Sequence, residues 1–337
     1  MKRMYAVDAN RVFLLSVLTS QLLVFLISGI GVRDTMLLQF LLEVFMALPG
    51  ICYLAMQGQS VKKSLGINRL SGIEWLLLIP LALCVDKIAE FINVVSQLFT
   101  PNLVGNHMME LILKYPFVLA FFVIAVTPAV CEELIYRGVL YRGYRKTSVW
   151  VAVILTAFLF GIMHMNLNQF SYAFVLGLLF ALINELTGSV VPSICLHLYV
   201  NGRSVVLLYA AVNYLKGLRE QYIVAEAAGD EGLMERLLDS AHGVPIESEQ
   251  WLEEYMNMGS GTLTENIRML LPTFLVALIG AFLILLFLYR KRKDRAEELT
   301  AGKMYEAEGE AGSKRNKVVS PTLLIGMMIC IVFMFLK

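Results

Sequence analysis

Nine apolar stretches dominate this 337-residue chain, and they leave it few ways to fold. They lie at 12–32, 36–56, 73–97, 116–143, 149–164, 167–186, 190–211, 269–289 and 320–336. A helix needs about 20 mainly apolar residues to cross a hydrocarbon layer, and most of these stretches reach that length. Inside lipid the backbone N–H and C=O groups must be paired within the structure, which leaves helices as the spanning unit. No alternating strand pattern competes with them. The predicted fold class is therefore all-α, a polytopic transmembrane bundle of eight or nine spans around an intramembrane polar cavity. Composition agrees: 58% of residues are hydrophobic and 16% charged, against roughly 45–50% and about 25% in soluble domains. With 28 basic residues against 27 acidic ones, nothing points to a nucleic-acid partner, and the lipid bilayer is the expected surrounding.

Basic residues in the loops orient such a chain. With the N-terminus in the cytoplasm and alternating spans, nineteen lysines and arginines fall inside and seven outside, which favours that orientation in the cell membrane. Nine spans then put the C-terminus outside. The first apolar run has no small-residue cleavage site after it and reads as a retained span rather than a signal peptide. The expected organisation is a transmembrane bundle over 1–215, an acidic extracytoplasmic insertion over 216–265 with short surface helices, and a further span at 266–289. A flexible, charged cytoplasmic linker over 290–319 and a last span at 320–337 follow. The linker opens on RKRKDR, a basic run suited to acidic lipid heads. The five cysteines form no CxxC pair and sit in or beside apolar runs, as small buried hydrophobes do.

Ionisable groups inside apolar runs are costly and mark candidate sites. His107 and His242 fall in outer loops and read as surface residues. Three other clusters stand out. In CEELIYRG, Glu133 and Arg137 are four residues apart and share a helix face, so the arginine can neutralise that carboxylate. Glu132 is turned about 100° away and stays available for chemistry. In FGIMH, Phe160 can pack beside His164 and hold its ring. In HLYVN, His197 and Asn201 lie one turn apart, with Pro192 in the first turn of their helix. Taken singly, each cluster is also explained by a structural ion pair or a polar contact between helices.

Together they have a common depth. At 1.5 Å per residue, Glu132 lies about 20 Å above the inner end of a long fourth span. His164 lies about 24 Å above residue 148, and His197 about 13 Å above residue 188. A carboxylate, two imidazoles and an amide in one wet pocket suit hydrolysis of an amide or ester. Glu132 would act as general base on water and His164 would help position it, while His197 and Asn201 donate to the oxyanion.

The motifs EExxxR at Glu132–Arg137, FxxxH at Phe160–His164 and HxxxN at His197–Asn201 resemble, in order, those of the CPBP family. That family comprises the type II CAAX prenyl endopeptidases and bacteriocin-processing or immunity membrane proteins. The resemblance covers about 60–215, with the motifs in 130–202. It implies an intramembrane endopeptidase with a cavity open to the cytosol, acting on a hydrophobic, lipidated or membrane-associated peptide. Glu132 becomes the catalytic glutamate, supported by Glu133 and Arg137, with His164, His197 and Asn201 completing the site. HExxH is absent, which favours a metal-free general base. The alternative is a divalent metal such as zinc held by Glu132, His164 and His197, with two histidines and a carboxylate as a three-ligand set.

Two other readings use different residues or no turnover. A bacteriocin immunity protein would keep the fold and act by binding. A small-solute transporter would use Glu43, Asp86, Lys87 and Glu90, which lie within apolar stretches. No inverted repeat supports the transporter.

Overall fold

In the computed structural model, residues 6–56, 62, 65–248, 250–251, 262–300 and 318–336 are described. Among the described residues every regular element is helical and there is no strand. In chain order they are α1 (Ala6–Gly29), α2 (Thr35–Met56), α3 (Gly72–Ser96) and α4 (Leu103–Lys114), then α5 (Phe117–Arg145), α6 (Val149–Met163) and α7 (Leu167–Thr187). They continue with α8 (Val191–Ala228), α9 (Glu231–Ser240), α10 (Leu263–Thr300) and α11 (Pro321–Leu336). Six of these, α1, α2, α5, α7, α8 and α10, are long and apolar enough to cross a membrane. The protein is a multi-pass membrane protein.

Of the eight or nine expected spans these six meet that measure, and three further helices do not. α3 has 25 residues but carries Glu74, Asp86, Lys87 and Glu90, so it is not an apolar rod on its own. Its charges are paired: Asp86 with Arg203 of α8 at 3.0 Å, Lys87 with Glu90 at 2.6 Å, and Glu74 with Lys291 at 3.5 Å. That pairing gives the transporter reading no support. α6, with 15 residues, rises only about 22 Å. It stops at His164 among buried neighbours (Met163, Met165), where non-helical backbone is tolerated because protein surrounds it. α11 is likewise short, at 16 residues.

Two further expectations change. α8 does not end near 211: it runs unbroken for 38 residues to Ala228 and is closed by Gly229 in the left-handed conformation. The acidic insertion therefore begins as a continuation of the span. It folds back through α9 onto α8 over a small apolar core that includes Leu218, Tyr222, Leu237, Ile246 and Trp251. The stretch at 252–261 lies outside the described residues. The linker expected over 290–319 is helical as far as Thr300, and 301–317 likewise lie outside the described residues.

Apolar side chains bury themselves in two main cores. One joins α1, α2, α5, α6 and α11 and includes Phe13, Tyr136, Tyr144 and Phe160. The other joins α3, α7, α8 and α10 and includes Leu81, Phe180 and Leu196. α6 and α7 pack as an antiparallel pair, started by Asn166, whose side chain accepts the Gln169 N–H at 3.0 Å and caps α7. One end of the bundle ties several elements together. The Asn10 amide donates to the Val318 carbonyl (2.9 Å) and Ser320 Oγ (2.8 Å), and accepts from the Tyr144 hydroxyl (2.7 Å). The starts of α1 and α11 and the end of α5 thus lie side by side.

The α6 and α7 backbones approach closely at Gly177, where an added Cβ would stand 2.8 Å from Ala157 Cα. Backbone cannot rotate aside, so Gly177→Ala is expected to lower stability by about 1–3 kcal/mol, read as the unfolding midpoint in micelles. At Gly50 the added Cβ would meet Ile135 Cδ1, the tip of a flexible side chain. Gly50→Ala should therefore cost less. The reverse order would contradict this account of the packing.

Candidate active site

α5 carries the first cluster, and it is not a uniform α-helix. Its α-helical turn Thr127–Glu133 lies between two π-helical segments, Phe122–Val126 and Leu134–Leu140. An i→i+5 segment inserts an extra residue, re-aims the side chains that follow and disturbs the carbonyl ladder. Neighbouring helices supply donors to both disturbed stretches. Asn201 Nδ2 of α8 donates to the Ile124 carbonyl at 3.2 Å, and Asn184 Nδ2 of α7 donates to the Arg137 carbonyl at 3.5 Å. Nothing in the local sequence marks these segments, and reading 116–143 as plain α-helix missed them.

Glu133 and Arg137 are both fully buried, and Arg137 Nη1 donates to Glu133 Oε1 at 2.8 Å. The pair expected from i,i+4 spacing survives the π segment. A buried charge is tolerable only with partners, and Arg137 has several. Its Nη2 donates to the Gly177 carbonyl at 3.2 Å. Its guanidinium carbon lies 4.5 Å from the Phe160 ring centre and 5.3 Å from that of Phe180. These two rings belong to different apolar cores, so the polar cluster occupies the seam between them.

His197 links the two glutamates. Its Nδ1 is 3.1 Å from Glu133 Oε1, which makes Nδ1–H the donor to a carboxylate and orients the ring. Nε2 then faces Glu132 Oε2 at 3.7 Å, too long for a direct hydrogen bond. His164, at the C-terminal cap of α6, has Nδ1 2.8 Å from the Phe160 carbonyl, so its Nε2 is left to face other partners. The Phe160 ring meets both imidazoles edge to face, at 5.0 Å from His164 and 5.9 Å from His197. One aromatic residue therefore spaces the guanidinium and both histidines.

Most of the expected residues thus come together: Glu132, Glu133, Arg137, Phe160 and His197 share one buried cluster, and the half-buried His164 joins it through Phe160. Asn201 sits one turn beyond His197, but one of its amide N–H groups is committed to Ile124 rather than directed only at a ligand. Two contributors went unrecognised in the sequence. Phe180 lies 5.6 Å from His197, and its apolar neighbours give no signal of that role. Glu43 of α2 is 3% exposed and within electrostatic reach of Glu132 and Cys131. Gln39 donates to one of its oxygens at 3.3 Å, while the other has no hydrogen-bond partner among the described residues. An acidic residue in an apolar run was the available signal, but sequence alone assigned it to a solute pathway.

Glu132 Oε2 and Glu133 Oε2 are also buried without a hydrogen-bond partner among the described residues. Among the described residues no group of three His, Cys, Asp or Glu side chains stands close enough to hold a metal ion. His164 and His197 each direct Nδ1 at a protein oxygen, which orients the rings and leaves both Nε2 atoms open, and Glu133 is taken by Arg137.

Comparison with known proteins places this cluster in context. Residues 114–203 match the family model for type II CAAX prenyl endopeptidase Rce1-like proteins. That interval contains every residue of the cluster except Glu43. No curated protein and no solved structure matches the chain.

Proposed function

We propose that this chain, with its Rce1-like domain, is an intramembrane endopeptidase in which Glu132 activates water against a peptide bond. The substrate is a hydrophobic, lipidated or membrane-associated peptide, cut near its C-terminus. The observation that carries this reading is the bridge made by His197, held by Glu133 at Nδ1 and facing Glu132 with Nε2 at 3.7 Å. A carboxylate that fixes an imidazole beside a second carboxylate provides an oriented acid–base pair.

In this mechanism the Glu132 carboxylate takes a proton from water as the water oxygen bonds to the carbonyl carbon. His164, through Nε2, accepts a hydrogen bond from that water and helps to aim it. The developing oxyanion is met by protonated His197 at Nε2–H and by the second N–H of Asn201, since an amide nitrogen carries two donors. Glu133 offsets the charge on His197, and Arg137 holds Glu133 in place. As the C–N bond breaks, Glu132 returns its proton to the leaving amine. The low-dielectric surroundings strengthen each of these contacts relative to water.

Orientation follows the loop charges: the N-terminus is cytoplasmic, and basic residues collect at the end of the bundle that holds Asn10, Arg145 and Arg292. Purified full-length protein in lipid nanodiscs should cleave a farnesylated CAAX peptide or a member of a transmembrane-peptide panel. Mass spectrometry would locate the new terminus. Tight binding of such peptides without any product would count against turnover and favour an immunity role.

A further inference from the structure

Thr35, Gln39 and Glu43 stand at four-residue steps along α2, and every side chain between them is apolar. Steps of four keep to one helix face, so α2 carries a polar stripe about 12 Å long. Its first two members line a cavity of about 200 Å³ near the turn from α1 to α2, together with Leu42 and with His107 of α4. That volume holds several water molecules. Thr35 Oγ1 is buried without a hydrogen-bond partner among the described residues. Gln39 connects the cavity to the third member, its Nε2–H donating to Glu43 Oε1 at 3.3 Å.

Glu43 in turn stands alongside Glu132. α2 meets α5 at Phe40, whose ring lies 6.3 Å from that of Phe122, and again at Gly50, which packs against Ile135 and Val139. Glu43 falls between these contacts on α2 and Glu132 between them on α5, and the two carboxylates are within electrostatic reach. An ion pair does not account for Glu43. Glu74, Asp86, Glu133 and Glu185 are buried with cations beside them, respectively Lys291, Arg203, Arg137, and Arg145 with Arg292. Glu43 has no cation beside it among the described residues. Its Oε2 and that of Glu132 are both buried without a hydrogen-bond partner among the described residues, and buried polar atoms that the protein leaves unpaired are met by water. Hydrolysis consumes one water for each bond cut. A peptide laid against Glu132 blocks entry from its own side, so that water needs a second approach.

We propose that the Thr35–Gln39–Glu43 stripe leads water from the cavity to Glu132, with Glu43 as a positioning residue that hands it on. The inference rests on the hydrolase reading of Glu132 and is independent of which side of the membrane the cavity faces. It is tested on the full-length protein in lipid nanodiscs by steady-state peptide cleavage and by hydroxyl-radical footprinting. In the footprint, X-ray pulses split water and mass spectrometry counts the side chains oxidised beside it. Cys131, next to Glu132, is the reporter, with the exposed Cys52 and the buried Cys330 as references. Glu43→Leu should lower kcat about tenfold, the worth of one hydrogen bond, with KM little changed. It should also lower Cys131 oxidation relative to Cys52. Leucine removes a buried carboxyl that has no cation, so the unfolding midpoint should not fall. Glu43→Gln keeps a hydrogen-bonding group of the same shape and should recover most of both losses. Gln39→Leu, at a half-buried position outside the Glu132 cluster, is the second variant and should lower both readouts. Unchanged Cys131 oxidation in Glu43→Leu and Gln39→Leu would overturn the proposal. So would a loss in Glu43→Gln as deep as that in Glu43→Leu, which would make the carboxylate itself the requirement. A wild type that yields no product defeats the hydrolase reading instead, and the Cys131 footprint then decides alone whether the stripe carries water.

Discussion

Replacing Glu132 with glutamine is expected to lower peptide turnover by about 10³-fold, within the roughly 10²–10⁴-fold that a positioned general base supplies. Glutamine keeps the shape of the side chain and cannot take a proton from water. The loss should fall on kcat, with KM little changed, because the missing interaction belongs to the transition state. Folding should be nearly untouched. The nearest ionic partner of Glu132 is His197 at 3.7 Å, and its Oε2 has no hydrogen-bond partner among the described residues. Little native-state bonding is therefore removed, and the unfolding midpoint serves as the control. Aspartate at this position keeps the base but withdraws it by one methylene, so Glu132→Asp should retain more activity than Glu132→Gln. Turnover of Glu132→Gln within tenfold of wild type would remove Glu132 as the base and turn attention to Glu43.

The second large effect is expected at Arg137. Removing one member of a buried pair costs about 3–5 kcal/mol, because the other is left charged or must take up a proton in an apolar setting. Arg137→Met strands Glu133, which is fully buried, and gives up the bond to the Gly177 carbonyl and the stacking between Phe160 and Phe180. Methionine retains apolar bulk, so the loss reports on charge more than on volume. Chemical unfolding in micelles should register the destabilisation. Activity should fall as well, since a displaced Glu133 no longer orients the His197 ring or offsets its charge. The double variant Glu133→Gln/Arg137→Met discriminates between the two consequences: stability should recover substantially, because no unpaired charge remains, while activity should not. A single Arg137→Met variant that loses under about 1 kcal/mol would show that the buried pair does not hold the seam together.

Much of this arrangement is legible in the order of residues because it follows from short-range geometry. Apolar runs of span length permit only helices in lipid, and every regular element among the described residues is helical. The Glu133–Arg137 pair and the contact between Phe160 and His164 both follow from neighbours one turn apart, and both are present. Pro192 stands in the first turn of α8, where its missing N–H costs nothing. Where local rules stop, so does legibility. The π segments of α5 depend on Asn201 and Asn184, which reach it from helices far away in sequence. The continuation of α8 beyond the span depends on an apolar stripe that α9 covers.

Glu43 and Glu185 illustrate the same limit. Each is an acidic residue in an otherwise apolar helix, and sequence alone cannot say which neighbours it will meet. Only packing turns Glu43 toward the cluster around Glu132, and only packing brings Arg145 and Arg292 onto Glu185. The residue order by itself determined a helical membrane protein with three polar clusters at helical spacing, because hydrophobic length and the 3.6-residue turn act within a few neighbours. Tertiary structure alone decided that Phe160 and Phe180 close a seam around Arg137 and that His197 bridges two glutamates. Those contacts join residues separated by tens to hundreds of positions, and their partners are selected by how whole helices pack rather than by any local pattern.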